Sequence, residues 1–443
     1  MAARLVQRHG APAELVIRGA RLYDPGTGLD TVADLHVSGG VIVAIGADLD
    51  PRQAEVIEAD GMTVLPAFVD PHVHLRTPGQ EYKEDLATGT AAAAAGGYCA
   101  ILGMPNTSPV VDSLPVLESL FERGAEECLI PTGFLPAISV GLAGGQLPEM
   151  HALAERGAAG FTDDGRPVER AGLLRRAFQY VAPLGLPLAL HEEDLSLSRG
   201  GSMHEGTVSA ELGIGGYPSI AESAMVARDL RIARYEQGRI HLQHLSTHES
   251  LEELAWARSV GIRVSAEASP HHLLLTDEAV RSLDANVKMN PPLAAEADRE
   301  ALIEAVRSGV VDCIATDHAP HAAEEKEQPF EQAPNGVTGL ETAFAALLTG
   351  LVEPGVLPLA TVVTAMTVAP ARAFALAGPR LEVGARADLA LWDLTAEWTV
   401  RADTFHSRSA NSPFLGRRLR GRCQLTIAGG QVAFRLVDMG VPA

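Results

Sequence analysis

Cysteine is scarce in this chain: its 443 residues carry four, Cys99, Cys128, Cys313 and Cys423, widely spaced and with no Cys-x-x-Cys pair. That spacing argues against a disulfide framework and a cysteine-rich zinc module, and it points to a reducing compartment, so a cytoplasmic protein is expected. Positive charge is short as well. With 35 Lys+Arg against 56 Asp+Glu the formal charge is −21, which repels nucleic acid and anionic membrane at long range. Neither is expected as a partner, although an acidic surface still leaves room for a locally positive pocket. Long apolar runs are missing. Met1–Leu15 carries Arg4, Arg8 and Glu14 and has no apolar core of signal-peptide length. The most apolar later region, Thr342–Ala377, is broken by Glu353-Pro354, Pro358 and Pro370 before it reaches the ~20 residues of a spanning helix. It suits packed helices better. No internal repeat is present, and no low-complexity segment beyond Ala91–Ala95.

What is there is enough for a packed core. The hydrophobic fraction is 47%, ample for one large domain and a smaller one. Near the start, short β-type runs (Leu15–Ile17, Asp34–Val37, Val41–Ile45) separated by turns predict a small antiparallel sheet. The same texture returns in Asp388–Trp392 and Gln424–Phe434, so the two ends are expected to build one composite β-sandwich domain. Between them, strand-like runs alternate with helical stretches. The runs are Thr63–Val69, Tyr98–Leu102, Ile130–Phe134, Gly160–Thr162, Pro187–Leu190, Arg239–Leu242, Arg263–Ala266 and Cys313–Ala315. The helical stretches include Tyr82–Ala95, Leu114–Arg123, Ala171–Val181, Ser219–Tyr235, Leu251–Ser259 and Asp298–Ser308. This alternation predicts an α/β fold, a (β/α)₈ TIM-type barrel. An open doubly wound sheet is the alternative, but no Gly-x-Gly-x-x-Gly opens a helix after the early strands. The expected division is 1–65 and 378–443 for the two parts of the β domain and 66–377 for the barrel.

Residues just past the strands of such a barrel line the face where its chemistry is found. The first run ends in Asp70-Pro71-His72-Val73-His74-Leu75-Arg76. In a strand, residues two apart share a side, so His72 and His74 can face one cation. Later strand ends bring Asp163-Asp164, His191, His244 and Asp317-His318-Ala319-Pro320-His321. Imidazoles and carboxylates without thiolates fit a catalytic rather than a structural metal site. Singly, each has a plainer reading: a hydrogen-bonded core histidine, a turn residue before Gly165, a cap at Asp317. Gathered at one barrel face without a cation, they would carry a large desolvation cost.

These residues resemble the amidohydrolase superfamily, and along nearly the whole chain they resemble its bacterial type I dihydroorotases. The similar segments are Pro66–Pro78, Met104–Thr107, Phe161–Gly165, His191–Asp194, His244–Thr247, Lys288–Leu293, Thr316–His321 and Gly336–Glu341. The resemblance implies zinc, one or two ions, held by His72, His74, Asp164, His191, His244 and Asp317. Many relatives bridge two metals with a carboxylated lysine in a Gly-Phe-Lys-like strand. Here the strand reads Gly160-Phe161-Thr162-Asp163-Asp164, so an aspartate is expected to bridge: Asp164 by its spacing to His191, with Asp163 as the fallback, its expected alternative being a place behind the ligands or in a turn. A bound cation would make hydroxide available near neutral pH and polarise the ring amide carbonyl, with Asp317 as proton shuttle. The implied reaction interconverts dihydroorotate and N-carbamoyl-L-aspartate in pyrimidine biosynthesis. Arg76 suits the unreactive substrate carboxylate; the resemblance adds Asn106 and His321, and Asn290 is a further candidate for the ring's polar edge. Gly336–Gly339 is expected to offer backbone groups and Ala322–Asn335 to form a lid. A homodimer is implied, and association with aspartate transcarbamoylase is left open. The rival readings are another cyclic amidohydrolase (a hydantoinase, dihydropyrimidinase or allantoinase) and a non-catalytic dihydroorotase-like subunit of an aspartate transcarbamoylase assembly. Arg76, Asn106 and the missing lysine oppose the first, and the intact ligand set opposes the second.

Overall fold

The computed structural model describes residues 3–436. Eight parallel strands follow one another along the middle of the chain: β1 (Phe68–Val73), β2 (Tyr98–Gly103), β3 (Thr132–Phe134), β4 (Phe161–Thr162), β5 (Pro187–Leu190), β6 (Arg239–Leu242), β7 (Arg263–Ala268) and β8 (Cys313–Ile314). They pair in two sets, β1 to β3 and β4 to β8. The first seam closes where Ala159 N and Thr162 N donate to Phe134 O and Pro136 O at 3.1 and 3.0 Å. The second closes where Val73 bridges His318 in parallel, with His74 N donating to His318 O at 2.9 Å. Closure removes every free edge, and the result is the (β/α)₈ barrel.

The helices between strands form where the sequence caps and patterns them. The first, Leu86–Ala95, opens on a capping box in which Asp85 and Thr88 satisfy each other's backbone N–H. It ends at Gly96, where any Cβ would lie 2.1 Å from Leu340 O, so a larger side chain has no place there. The helix Ala171–Val181 occupies the predicted span, and Leu173, Leu174, Ala177, Phe178 and Val181 are its buried stripe.

Both chain ends contribute to a single eight-stranded sheet, in which Leu15–Asp24, Leu29–Ser38 and Val41–Gly46 join Leu389–Thr399, Arg418–Ala428 and Gln431–Arg435. Its own core holds Leu15, Ile17, Leu22, Leu35, Val37, Leu389, Leu391, Leu425 and Ile427. Two details differ from expectation. The sheet is mixed, because Glu55–Glu58 and Thr63–Pro66 both run parallel to Leu15–Asp24. The predicted run Thr63–Val69 is in fact two strands: Thr63–Pro66 pairs with Leu389–Thr399, and β1 begins only at Phe68. Continuous hydrophobicity hid the break, since both strands are fully buried. Rings of Phe68, Phe344 and Trp392, with centroids 4.6 to 5.8 Å apart, pack where the sheet meets the barrel.

The segment from Ala322 to Asn335 is folded down on the barrel. It contains a short helix, Ala323–Lys326, and a buried Phe330. Among the described residues no helix is long and apolar enough to cross a membrane.

Candidate active site

Strand β1 carries Asp70 and His72 on one side of its pleat, and His74 follows just past its end. Asp70 is fully buried and accepts hydrogen bonds from Thr316 Oγ1 at 2.5 Å, Thr316 N at 3.2 Å and His72 N at 3.0 Å. It therefore ties the first strand to the last beneath the site. Three site residues past strand ends adopt left-handed backbone angles: Arg76 (φ 56), His244 (φ 30) and Asp317 (φ 47). Such angles cost non-glycine residues of order 1–3 kcal/mol each and persist only where the surroundings enforce them.

These turns bring the predicted ligands together. His72 Nε2 lies 3.3 Å from Asp164 Oδ1 and 3.4 Å from Asp317 Oδ1. His74 Nε2 lies 3.3 Å from Asp164 Oδ2 and 3.1 Å from Asp317 Oδ1. His244 Nε2 is 3.6 Å from Asp164 Oδ1 and 2.9 Å from His191 Nδ1. Two triads, His72–Asp164–His244 and His72–His74–Asp317, each gather their donor atoms within 4.8 Å. His191 belongs to neither and adjoins the cluster through His244. The donor set fits a divalent cation. Among the described residues His72 Nε2 is buried without a hydrogen-bond partner, amid imidazole and carboxylate donors of the hard to borderline type that such an ion takes.

A second layer fixes the rings, and the sequence reading missed most of it. Glu267, on β7, accepts from His72 Nδ1 at 2.5 Å and from His241 Nε2 at 2.9 Å. Glu193 accepts from His191 Nε2 at 3.0 Å, and Asn106 Oδ1 from His74 Nδ1 at 2.8 Å. Each acceptor holds the N–H of one ring nitrogen and so turns the other toward the cluster. The fields follow the same plan. Burial alone would raise Asp164, but the His72, His244 and His74 imidazoles hold it well below the usual carboxylate range. Asp317, pushed up by burial and down by His72, His74 and His244, comes to about 2. His72 is lowered by burial, yet Asp164, Glu267 and Asp317 together carry it well above its ordinary value.

Asp163 faces away from the ligand cluster. It accepts from Ile138 N at 2.8 Å and Ser139 N at 2.9 Å, and so fixes the loop that follows β3. Beside the ligands lies a cavity of about 190 Å³ lined by Arg76, Asn106, Asn290, His321, Asn335 and Gly336 among others. Arg76 is buried, donates through Nε to Pro320 O at 3.1 Å, and has Nη2 3.4 Å from His321 Nε2. His321 Nε2 in turn donates to Asn335 O at 2.8 Å. Asn290 Nδ2 donates to Glu193 Oε2 at 2.8 Å, which links the cavity wall to His191. Asn411 was not foreseen: its side chain takes His321 N at 3.0 Å and donates to Ala319 O and Gly336 O, each at 3.1 Å.

A closed parallel barrel with clustered imidazoles and carboxylates at the carboxyl ends of its strands, walled by a buried guanidinium, has the architecture of the metal-dependent amidohydrolases. Its solved relatives agree: the L-hydantoinase (dihydropyrimidinase) of Arthrobacter aurescens superposes with a TM-score of 0.87 over 97% of this chain and 98% of its own, at 26% identity. A dihydropyrimidinase of Brevibacillus agri, at 24% identity and a TM-score of 0.80, covers 95% of each chain and shares the fold. Sequence resolves the branch. Residues 61–250 match the family model described as dihydro-orotase-like. Dihydroorotases of Anaeromyxobacter sp. strain K and Geobacter metallireducens are 45% and 43% identical, covering 94% and 95% of this chain and 97% and 99% of theirs. The chain belongs to the dihydroorotase family.

Proposed function

We propose that this enzyme interconverts N-carbamoyl-L-aspartate and (S)-dihydroorotate plus water, with zinc as its metal, in the pyrimidine pathway. The observation that carries the reading is the buried Arg76 in the wall of the ligand cavity: a fixed guanidinium there suits a substrate whose carboxylate does not react. His72, His74, Asp164, His191, His244 and Asp317 would hold one or two zinc ions. When bound, zinc supplies Lewis acidity, polarising the ring amide and acidifying water. Asp317 accepts the proton of the attacking water and returns it to the departing ring nitrogen. In the biosynthetic direction the same carboxylate works in reverse as the ring closes. Arg76, Asn106 and His321 orient the substrate carboxylate, and Asn290 meets the ring's polar edge. The same reading divides the chain at about 66 and 377, places it in the cytoplasm, and expects a homodimer, with aspartate transcarbamoylase as a partner to test.

The hydantoinase likeness in fold makes a neutral ring the competing substrate. Turnover of dihydroorotate, dihydrouracil, hydantoin and allantoin, with metal content measured on the same sample, tests the proposal. Preference for dihydroorotate with zinc bound is expected, and preference for an uncharged ring would overturn it.

A further inference from the structure

Cationic charge extends behind the wall that Asn335 and Gly336 present to the cavity. Lys288 and Lys326 are both buried. Lys326 Nζ donates to Ala285 O at 2.9 Å, Pro334 O at 2.9 Å and Lys288 O at 3.3 Å. Lys288 Nζ donates to Glu331 O at 3.0 Å and Ala333 O at 2.8 Å, and lies 5.4 Å from the centre of the Phe330 ring. Every one of these acceptors is a main-chain carbonyl. The carboxylates whose fields reach the two ammonium groups, Glu331, Asp284 and Glu325, act at longer range without a hydrogen bond. Glu325 is itself engaged by Lys83 at 2.8 Å, and Asp164 and Asp317 sit on the ligand side.

Burying two ammonium groups that hydrogen-bond only carbonyls, with no carboxylate in contact among the described residues, carries a desolvation cost. The charge also repels itself. Burial, with Lys288 and Arg76 adding to it, pushes Lys326 down to about 7, and burial with Arg76, Lys326 and Lys83 pushes His321 down to about 3. A chain of net charge −21 repels an anionic substrate until a local field reverses the sign. We propose that Lys326 and Lys288 are specificity-determining residues, whose charge behind the Asn335–Gly336 wall attracts the substrate carboxylate that Arg76 meets at contact. This rests on the reading of the cavity as a dihydroorotate site.

The test uses the full metal-loaded chain at about pH 6, where a lysine lowered to about 7 stays mostly charged, and two probes, orotate as a carboxylated ring and uracil as its neutral counterpart, each titrated at low and high salt. Two unit charges ~10 Å apart at an effective dielectric of about 20 interact by an amount on the order of ten-fold in affinity. Lys326→Met and Lys288→Met are therefore expected to weaken orotate about ten-fold at low salt, flatten its salt dependence and leave uracil unchanged; Lys326→Arg should keep orotate affinity. Equal weakening of both probes would make the lysines purely structural and overturn the proposal, as would unchanged orotate binding. If the unaltered protein prefers uracil, the substrate reading itself falls and takes the lysine assignment with it. If it prefers orotate and the variants keep that preference, only the lysine assignment falls.

Discussion

Glu267 offers the sharpest test of how the ligand rings are held. Its two oxygens serve different imidazoles, Oε1 the His72 Nδ1 at 2.5 Å and Oε2 the His241 Nε2 at 2.9 Å, and both rings are fully buried. Glu267→Gln supplies only one acceptor oxygen. If that oxygen keeps His72, the new NH₂ faces His241, which can turn over its tautomer and donate instead to Ser265 Oγ, already 2.8 Å from its Nδ1. The ring orientation at His72 then survives, and what is lost is the negative charge that makes its other nitrogen a strong donor. Losing such an outer partner lowers metal affinity about 10- to 100-fold, equivalent to about 1.4–2.7 kcal/mol. Glu267→Leu goes further, leaving the His72 Nδ1–H and one His241 ring nitrogen buried without partners, at about 1–3 kcal/mol each. Dialysis of each variant against a graded chelator series, with a thermal melt of the metal-free protein alongside, separates the effects. The glutamine variant should lose metal affinity with little change in melting, and the leucine variant should lose both. Metal affinity within about three-fold of the original in both variants would refute the assignment.

Asp317→Asn is expected to cut turnover on the order of 10²–10⁴-fold while melting normally, because asparagine tolerates the left-handed angle of 47° found there; substantial remaining turnover would remove Asp317 from proton transfer. Arg76→Met should raise KM for dihydroorotate, and an unchanged KM would count against the carboxylate contact. His248 is raised above its ordinary 6.5, chiefly by its hydrogen bond to Asp298, with burial opposing and Glu249 assisting. Its stabilising contribution is thus complete below 6.5 and fades as pH rises through the higher folded value. The melting difference between the unaltered chain and His248→Gln should therefore shrink as pH rises above 6.5, and a constant difference would show the proton to be irrelevant.

The parts of this site legible in the sequence are those that interrupt a pattern. His72, His74, Asp164, His244 and Asp317 stand out because each follows a hydrophobic run, and the barrel turns sequence adjacency to a strand end into spatial convergence. Glu267 was hidden for the opposite reason. The expected seventh strand stops at Ala266, while the observed strand continues through Glu267 to Ala268, so the carboxylate lies inside the strand and its partners come from two other strands. A carboxylate set between Ala266 and Ala268 at the end of the run was the available signal. Asn411 and Lys326 carried none, since polar loop residues are common and only tertiary contact distinguishes these. The split at Ala67 was equally silent, because hydrophobicity records burial and not which sheet a strand joins.

That split has a consequence for how the molecule is made. Thr63–Pro66, which leads through Ala67 into β1, lies between Leu15–Asp24 and Leu389–Thr399, so one edge of the segment upstream of His72 stays open until synthesis has passed Leu389. Pairing over so long a loop is slow. Until then that edge of the root has no strand to pair with, and capture of the metal is expected late in maturation. A ribosome-arrested chain halted before Leu389 should retain metal poorly although it already carries the six predicted ligands.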